Sequence, residues 1–483
     1  MSSDAISEAT FIREFTRELH NRNAAVFAGA GFSMASGYVD WKGLLKDIIT
    51  DLGLDTDNEV DLVTLAQYHC NQAGGNKARL TQTIFDQFSR TKSPTRNHAI
   101  LASLPIYTYW TTNYDKLIET ALIAAKKVPD VKHTLKQLAV TRLNRDVVVY
   151  KMHGDVDHAA DAVISKDDYE EYPLKMSAFV SALRGDLIEK TFLFLGFSFA
   201  DPNLDYILSR VRVLYEKHQR HHYCIQKKVS REVGEAVKEF NYRKLKQDYF
   251  IRDLKRFGIQ TVMVDEYADI TRLLEKVVRQ YKRSSVFISG AAETFGAWSI
   301  MEAGSFLHEL SYRLATNKYR IITGFGAGVG SAVINGALAF LNEAGKTISD
   351  EDIVMRPFPQ TATAGATLPD LWTEYRKGIV EYCGIAIFVF GNKLDPAGSI
   401  ILSNGMMQEF ELCVQADVSV LPVGATGYMA KELWDKVLTD FDTYYPGADP
   451  AFRATFETLG DMANSPQVLL AAIETLIELL QKG

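Results

Sequence analysis

The chain has 483 residues, of which 47% are apolar and 23% charged, and its formal net charge is −7. At the usual domain size, this length allows about two to four domains. The acidic balance argues against a general nucleic-acid binder or a protein bound to anionic membranes, because either would carry a large basic surface.

The cysteines and the N-terminal residues exclude further classes of protein. The four cysteines are Cys70, Cys224, Cys383 and Cys413, and no two form a C-x-x-C pair. This excludes a zinc ribbon and gives no reason to expect disulfides. The first residues lack the pattern of a secretory leader, and no apolar run approaches the roughly 18 residues that a membrane span needs. We therefore expect a cytoplasmic protein that does not bind membranes.

The first elements are a helix, a strand and a tight turn. Phe11, Phe15 and Leu19 repeat at helical spacing, and residues 24–27 predict a short buried strand. The strand runs into the stretch "VFAGAGFSMASG" (residues 26–37), which is rich in small residues. A chain that turns this tightly after a strand usually makes room for the phosphates or ribose of a ligand.

Three further apolar runs in the first half end in polar or glycine residues. They are "IYTYWTTNYD" (106–115), "VVVYKMHGD" (147–155) and "FLFLGFSFADPN" (192–203). Helix-length stretches separate them, which indicates a parallel sheet with helices on both faces. Ligands of such sheets bind beyond the carboxyl ends of the strands, so we expect all four stretches to open toward one cleft.

The later elements of this half follow the same alternation. Asp201 and Pro202 predict a helix start. The predicted buried stripe of that helix is Leu204, Ile207, Leu208, Val211 and Leu214. A charged helical region to about Phe257, a strand over residues 259–265 and a last helix to about residue 283 complete it.

From Ser285 the alternation of strands and helices begins again. The apolar runs are "VFISGAA", "RIITGFGAGVG", "IVMRPFP", "AIFVFGNK" and "VSVLPVGATG", each stopped by glycine or proline. The predicted fold class is α/β, with two doubly wound Rossmann-like domains whose sheets are mainly parallel. We expect the domains to comprise residues 1–283 and 284–483.

The first glycine turn departs from two common nucleotide motifs. The dinucleotide fingerprint G-x-G-x-x-G fits at Gly29 and Gly31, but Met34 stands where the third glycine belongs. The phosphate-binding pattern G-x-x-x-x-G-K-[ST] is absent from the sequence. Neither a dehydrogenase nor a nucleoside triphosphatase is favoured.

Taken together, "GAGFS", "TTNYD", "MHGD" and "GFSFADPN" resemble the motifs of the sirtuin-like NAD-binding domain, over roughly residues 1–283. The resemblance implies that the catalytic asparagine and histidine are Asn113 and His153. It also implies that the dinucleotide lies over the glycine turn, with its phosphates on backbone N–H groups. The implied NAD-binding residues are Ala28, Gly29, Ala30, Gly31, Ser33, Asp115, Gly196, Phe197 and Ser198.

These residue types suit cleavage of the nicotinamide–ribose bond. The leaving group is good, so the reaction needs a polar neutral group to orient ribose and water, and a base that titrates near ambient pH. Asn113 and His153 fit those roles, although a turn asparagine and a structural histidine are the simpler alternatives. Asp115 either binds ribose hydroxyls or caps the following helix, and the cap is the more common use.

The stretch "HGDVDH" (153–158) has the look of a metal site, but it lacks a further histidine at helical spacing. We expect no metal, and no cofactor beyond NAD+ as substrate. Sirtuin deacylases carry a zinc ribbon with two cysteine pairs, which this chain lacks. Water is then the expected acceptor, and NAD+ hydrolysis to nicotinamide and ADP-ribose is the expected reaction.

The stretches "SVFISGAA", "ITGFGAGVG" and "GNK", followed later by "QEF", resemble the motifs of a SLOG domain, a nucleotide-binding fold, over about residues 284–483. The P-G-G-x-G-T-x-x-E string of its phosphoribohydrolase members is absent, so a binding site is expected here. Backbone donors, the cations Arg376 and Lys393 and the acceptor Glu409 suit a nucleotide. The nominated residues are Ser289, Gly290, Gly324, Gly326, Gly328, Arg376, Lys393 and Glu409. Simpler alternatives are a solvated helix end for Arg376, a turn residue for Lys393 and pairing with a lysine for Glu409.

The two halves together resemble the effector family of the Thoeris anti-phage systems. That resemblance implies a homo-oligomeric NAD-depleting enzyme, a tetramer or larger. It implies activation by a cyclic ADP-ribose isomer that a separate signal-producing protein makes during infection. A sirtuin-type deacylase and a non-catalytic nucleotide sensor are the alternatives.

Overall fold

The computed structural model describes residues 4–55, 61–199, 201–215, 218–362, 365 and 367–482. These residues belong to two units, Met1–Val278 and Arg279–Gly483, and each is described by itself. Both units are α/β, with a parallel sheet that has helices between its strands. The predicted fold class is confirmed.

The first unit is built on a seven-stranded parallel sheet in the order β3-β4-β2-β1-β5-β6-β7. Its strands are β1 (Ala24–Ala28), β2 (Thr108–Thr111), β3 (Pro129–Lys132), β4 (Val147–Lys151), β5 (Thr191–Leu195), β6 (His222–Lys227) and β7 (Ile259–Val264). All five residues of β1 and of β5 are buried. Such continuous burial is typical of central parallel strands that are covered on both faces.

The helices of this unit are α1 (Glu8–His20), α2 (Ala30–Met34), α3 (Trp41–Asp51), α4 (Leu62–Gln72), α5 (Ala78–Phe88), α6 (Arg96–Ser103), α7 (Leu117–Ala124), α8 (Leu135–Leu138), α9 (Lys166–Lys175), α10 (Ser177–Glu189), α11 (Pro202–Tyr215), α12 (Val237–Lys255) and α13 (Ala268–Lys282). Helix α1 buries Phe11 and Phe15, whose rings stack with centroids 5.5 Å apart. The helical spacing read from the sequence therefore marks its buried face.

The second unit has a five-stranded parallel sheet in the order β10-β9-β8-β11-β14 and a separate antiparallel pair, β12 with β13. The strands are β8 (Ser285–Ala291), β9 (Arg320–Thr323), β10 (Ile353–Met355), β11 (Ile385–Phe390), β12 (Asn392–Leu394), β13 (Ile400–Leu402) and β14 (Ser419–Pro422). The helices are α14 (Ile300–Thr316), α15 (Gly330–Glu343), α16 (Leu368–Val380), α17 (Asn404–Gln415), α18 (Tyr428–Thr439), α19 (Phe441–Tyr444), α20 (Pro450–Thr458) and α21 (Pro466–Lys482). All six residues of β11 are buried.

Both main sheets reverse their strand order at the first strand. In the first unit β1 lies between β2 and β5, and in the second β8 lies between β9 and β11. The crevice outside the carboxyl ends of the strands at such a reversal is where doubly wound sheets bind ligands. The glycine turns at residues 29–31 and 324–328 directly follow β1 and β9.

The structure corrects one residue of the predicted core. Leu204, Ile207, Leu208 and Val211 of α11 are buried as expected, but Leu214 is 62% exposed. Leu214 lies in the last turn of the helix, beyond the part of α11 that covers the sheet. Its inclusion in the buried stripe was wrong.

Candidate functional site

In the first unit, the glycine turn after β1 packs against the backbone that follows β5. A Cβ atom added to Gly29 would lie 2.5 Å from the carbonyl oxygen of Gly196, and one added to Gly31 would lie 3.0 Å from the same atom. Gly196 has a φ of +61°, and a Cβ there would lie 2.0 Å from the backbone nitrogen of Phe32. The two loops touch through backbone atoms, which only glycine at these positions allows.

This packing uses donors that the sirtuin resemblance assigns to phosphate. The Gly29 N–H donates to the carbonyl oxygen of Leu195 at 2.9 Å, and the Gly31 N–H donates to that of Gly196, also at 2.9 Å. Both N–H groups hold the turn to the neighbouring loop. In this arrangement neither N–H group is left to donate to a phosphate.

Asn113 follows β2 and is anchored to the glycine turn. Its Nδ2 donates to the carbonyl oxygen of Gly29 at 3.0 Å and to Oγ of Ser33 at 2.9 Å. Both amide protons are then used inside the protein, and the carbonyl oxygen of the carboxamide is the atom left for a ligand. Asn113 accordingly presents a hydrogen-bond acceptor to the cleft.

Asp115 completes this network and caps a helix. Its Oδ2 accepts a hydrogen bond from Oγ of Ser33 at 2.6 Å, and its Oδ1 accepts from the Leu117 N–H at 2.9 Å. Leu117 is the first residue of α7, so the carboxylate satisfies an N–H group that has no partner within the helix. The bond from Leu117 agrees with the capping role considered for Asp115, and the binding of ribose hydroxyls stays a prediction.

A small cleft that is partly open to solvent lies beside these residues. Its lining includes Asn113, Ser33 and Asp115 together with Trp41 and Phe88. Aromatic walls with a few polar groups are typical of small-molecule sites.

A buried lysine supports the floor of the site. Lys151, at the end of β4, is fully buried, and its Nζ donates to the carbonyl oxygen of Asp115 at 2.6 Å. It also contacts the carboxylates of Asp155 at 2.5 Å and Glu119 at 3.1 Å. Burial lowers the pKa of Lys151, but the two carboxylates outweigh burial and hold that pKa above its ordinary value. A paired ammonium group thus ties the turn after β2 to the turn after β4.

His153 follows β4 and is almost completely buried. Its Nε2 lies 3.1 Å from Oδ2 of Asp201, but the two atoms are not aligned for a formed hydrogen bond. The ring packs edge-on against Tyr169, with centroids 5.4 Å apart. Burial raises the pKa of Asp201, but His153 and the hydrogen bonds to Asp201 outweigh burial and hold that pKa below its ordinary value.

The remaining nominated residues lie at the same edge of the sheet. Ala28 ends β1, and its carbonyl oxygen accepts from Oγ1 of Thr111 at 2.9 Å. Ala30 lines the cleft. The Phe197 ring packs on Phe27, with centroids 5.1 Å apart, so that side chain belongs to the core, whereas Ser198 is exposed.

In the second unit, three nominated side chains meet. Oγ of Ser289 donates to Oε2 of Glu409 at 2.6 Å, and Nε of Arg376 lies 3.6 Å from Oε1 of Glu409. All three residues are buried. Burial raises the pKa of Glu409, and the hydrogen bond from Ser289 and the positive charge of Arg376 offset only part of that shift. Within the part of the chain that the structure describes, Nε of Arg376 is buried without a hydrogen-bond partner.

The nominated glycines of this unit form the wall beside that cluster. Gly324 packs on the Phe358 ring, which also lies under the Arg376 guanidinium, 5.0 Å from the ring centroid. A Cβ at Gly326 would lie 1.9 Å from the carbonyl oxygen of Gly290. Gly328 has a φ of +71°, and a Cβ there would lie 2.1 Å from the Ala292 carbonyl oxygen. The turn after β9 therefore touches the end of β8 through backbone atoms.

Lys393 stands apart from the buried cluster. It lies on β12 with an exposed side chain, and its Nζ donates to Oδ1 of Asn404 at the start of α17. The structure thus brings together Ser289, Arg376 and Glu409, and leaves Lys393 on the surface hairpin.

Over the described ranges, no group of three histidine, cysteine, aspartate or glutamate side chains is arranged to hold a metal ion. No helix among those ranges is both long and apolar enough to span a membrane.

The sequence pointed to Asp201 only as a helix start. Its contact with His153 joins residues that are 48 positions apart along the chain, and no local pattern reports such a pairing. Trp41 and Phe88 were also missed, because aromatic residues on amphipathic helices look like ordinary core residues.

Known proteins resemble this chain along nearly its whole length. The SIR2-like domain family matches residues 107–254, and the Sir2- and TIR-associating SLOG family matches residues 269–480. A protein of Bacillus cereus (strain MSX-D12) named NAD(+) hydrolase ThsA is 49% identical over 470 residues, which cover 97% of this chain and 98% of that protein. Proteins of the same name from Acinetobacter baumannii (strain 532279) and Cytobacillus dafuensis are 45% and 44% identical, covering 97% and 99% of this chain and 98% of each relative.

Proposed function

Because the chain belongs to the ThsA family of NAD(+) hydrolases, we propose that it converts NAD+ and water to ADP-ribose and nicotinamide. The family resemblance drawn from the sequence motifs is confirmed. We assign the reaction to residues 1–283 and the binding of an activating nucleotide to residues 284–483.

The proposed chemistry needs two polar groups. The bond between nicotinamide and ribose C1′ breaks, and its electron pair neutralises the pyridinium ring. Water attacks C1′ and gives up a proton. We assign orientation of the ribose and water to the carboxamide oxygen of Asn113, and acceptance of the proton to His153.

One observation carries this proposal. Asn113 and His153 follow the paired strands β2 and β4, at the same sheet edge as the glycine turn. Asn113 is held with an acceptor toward the cleft, and the buried His153 has a carboxylate 3.1 Å from one ring nitrogen. A fixed acceptor and an oriented imidazole are the groups that the reaction requires.

The test is nicotinamide release from NAD+ by the purified full chain, with and without cyclic ADP-ribose isomers. We expect release that falls by about 100-fold or more in Asn113→Ala and in His153→Ala, with folding retained. Absence of release under every condition, with NAD+ still bound, would favour a non-catalytic nucleotide sensor instead.

We further propose that a cyclic ADP-ribose isomer binds in the second unit and activates the enzyme. The support is the cluster of Ser289, Arg376 and Glu409 beside the glycine turn after β9. A guanidinium with an unused donor suits a phosphate, and a carboxylate suits ribose hydroxyls. Substituting Arg376 with alanine should abolish activation by the isomer.

In the cell, we propose that the chain acts as a cytoplasmic homo-oligomer in anti-phage defence, and that a separate protein makes the activating signal. An unrestrained NAD+ hydrolase would harm its host, so the inactive state must dominate without signal. Shifting such an equilibrium from 1:99 to 99:1 takes roughly 5.5 kcal/mol of differential binding. Several activators bound to one symmetric assembly can share this requirement.

A further inference from the structure

The start of α11 places a carboxylate against the imidazole of His153. Asp201 immediately precedes this helix, and its Oδ2 lies 3.1 Å from Nε2 of His153. Both side chains are buried, with 9% and 1% of their surfaces exposed. A carboxylate this far from solvent and this close to an imidazole has a large effect on which ring nitrogen carries the proton.

Two further contacts fix the Asp201 carboxylate. Its Oδ1 accepts a hydrogen bond from the Leu204 N–H at 3.0 Å, as a helix N-cap does. Its Oδ2 accepts from the Tyr169 hydroxyl at 3.3 Å, and the Tyr169 ring packs on the imidazole. Helices α9 and α11 thus hold the carboxylate from two sides and leave Oδ2 directed at the histidine.

We propose that Asp201 is the positioning residue for His153, and this inference rests on the proposed hydrolase function. Asp201 accepts a hydrogen bond from Nε2–H and so keeps that proton on Nε2, which leaves the lone pair on Nδ1 as the base that takes the proton of the attacking water. Once Nδ1 is protonated, Asp201 is the counter-ion of the imidazolium. A nucleophile's base that is oriented by a third, acidic group is a recurring catalytic arrangement.

The geometry of the pair agrees with this role. Both ring nitrogens are buried without a formed hydrogen bond among the described residues, but Nε2 lies 3.1 Å from a carboxylate oxygen, which leaves Nδ1 for substrate or water. The Nε2–H is within reach of Oδ2 but imperfectly aligned. Catalytic hydrogen bonds are often misaligned without substrate and tighten when it binds.

The variant Asp201→Asn distinguishes the positioning role of Asp201 from a purely structural role as a helix cap. Asparagine keeps the side-chain size and can still accept from the Leu204 N–H, so the helix cap survives. It removes the negative charge beside the imidazole. We expect kcat to fall by about 100-fold or more while KM changes by less than about threefold.

Asp61→Asn is the matched control. Asp61 is the N-cap of α4 in the same unit and accepts from the Thr64 N–H at 3.1 Å, the same spacing as in the Asp201 cap. This variant should retain wild-type kcat and KM. If Asp201→Asn also retained wild-type kcat, Asp201 would be a helix cap alone and the proposal would be overturned.

A second measurement does not depend on how the variant folds. The ¹⁵N spectrum of histidine-labelled wild-type protein, with the His153 signals identified by their loss in His153→Gln, reports the tautomer directly. We expect the proton on Nε2, and a proton on Nδ1 in the neutral ring would overturn the proposal. The spectrum needs no turnover, so it tests the pairing of Asp201 with His153 independently of activity. Failure of the wild-type chain to release nicotinamide would refute the hydrolase function, and the spectrum would still show whether Asp201 sets the tautomer of His153.

Discussion

Nδ2 of Asn113 donates to Oγ of Ser33 at 2.9 Å, and this bond fixes which way the carboxamide faces. The hydroxyl donates onward to Asp115, so it must accept from Asn113. The second amide proton is bonded to the carbonyl oxygen of Gly29. The acceptor that Asn113 offers to the cleft is therefore set by the residues behind it.

Replacing Asn113 with aspartate should be at least as harmful as replacing it with alanine. A carboxylate at this position places a negative oxygen against the carbonyl oxygen of Gly29 and has no proton to donate to it. We expect nicotinamide release to fall by about 100-fold or more, because the oriented acceptor is lost. Steady-state release from NAD+ at saturating activator measures it.

The variant Ser33→Ala tests the hydrogen bond that holds the Asn113 amide in place, and it leaves the carboxamide oxygen of Asn113 unchanged. It removes one of the two partners of Nδ2 and leaves the other, so we expect a smaller loss of about tenfold. Equal activity of Ser33→Ala and wild type would show that the Gly29 contact alone positions the amide.

Gly196→Ala should disrupt the site through the backbone. The new Cβ would meet the Phe32 nitrogen at 2.0 Å, and the residue has a φ of +61°. We expect the variant to lose about 2 kcal/mol or more of unfolding free energy and to lose NAD+ hydrolysis, because the two loops must separate. Denaturant unfolding and nicotinamide release are the measurements.

The matched control is Gly185→Ala on α10, where a Cβ meets nothing within 4 Å. Alanine in a helix interior is favoured over glycine by about 0.5–1 kcal/mol, so this variant should be slightly stabilised and fully active. Similar stability of the two variants would contradict the close backbone contact at Gly196.

Glu409→Gln should weaken the response to the activator without damaging catalysis. The substitution keeps the shape of the side chain beside Ser289 but removes the charge that faces Arg376. We expect the concentration of a cyclic ADP-ribose isomer that gives half-maximal activity to rise about tenfold, with the maximal rate retained.

Glu411→Gln serves as the control, since it lies on the same helix with an exposed side chain. Its activation curve should overlay that of the wild type. An unchanged curve for Glu409→Gln as well would remove Glu409 from the activator site.

Two buried histidines should make the first unit sensitive to acid. Burial lowers the pKa of His98 to about 4 and that of His222 to about 3. Because these folded-state values lie below the ordinary 6.5, the unfolded chain binds more protons. The stabilisation that comes from keeping these histidines neutral is fully present above pH 6.5, and it is lost as the pH drops from 6.5 toward the folded-state pKa values. Between pH 7 and pH 5, each histidine should lower the free energy of unfolding by about 2 kcal/mol.

His222→Asn isolates one of these contributions. The Phe192 N–H donates to Nδ1 of His222 at 3.1 Å, and the asparagine oxygen can take over that bond without titrating. Urea unfolding at pH 7 and at pH 5 should show the difference between wild type and variant shrinking by about 2 kcal/mol on acidification. A difference that stays constant would mean that His222 is not buried in its neutral form.

Elements that depend on interactions between residues close together in the chain could be predicted from the sequence, and elements that depend on distant residues could not. The strands β8, β9, β10, β11 and β14 were all predicted, since each apolar run is stopped by glycine or proline. Strand β3, with the sequence "PDVK", was missed because proline, aspartate and lysine are poor strand formers that only pairing with β4 holds in place.

The sites show the same limit. Asn113 and the glycine turn were predicted from local motifs at strand ends, and the structure places them in contact. The bond of Ser33 to Asp115 spans 82 residues and that of Ser289 to Glu409 spans 120, so neither is visible in any local pattern. Site residues that belong to a local turn motif could be predicted from the sequence. Their hydrogen-bond partners, which are distant along the chain, could be identified only from the folded structure.

The loop that follows β5 carries two contacts with different purposes. At Gly196 its carbonyl oxygen holds the Gly31 N–H, and at Asp201 its carboxylate meets the imidazole of His153. A single displacement of this loop would break both contacts in one movement. The glycine turn and His153 therefore depend on the same loop, and we expect a displacement of that loop to disturb both of them together.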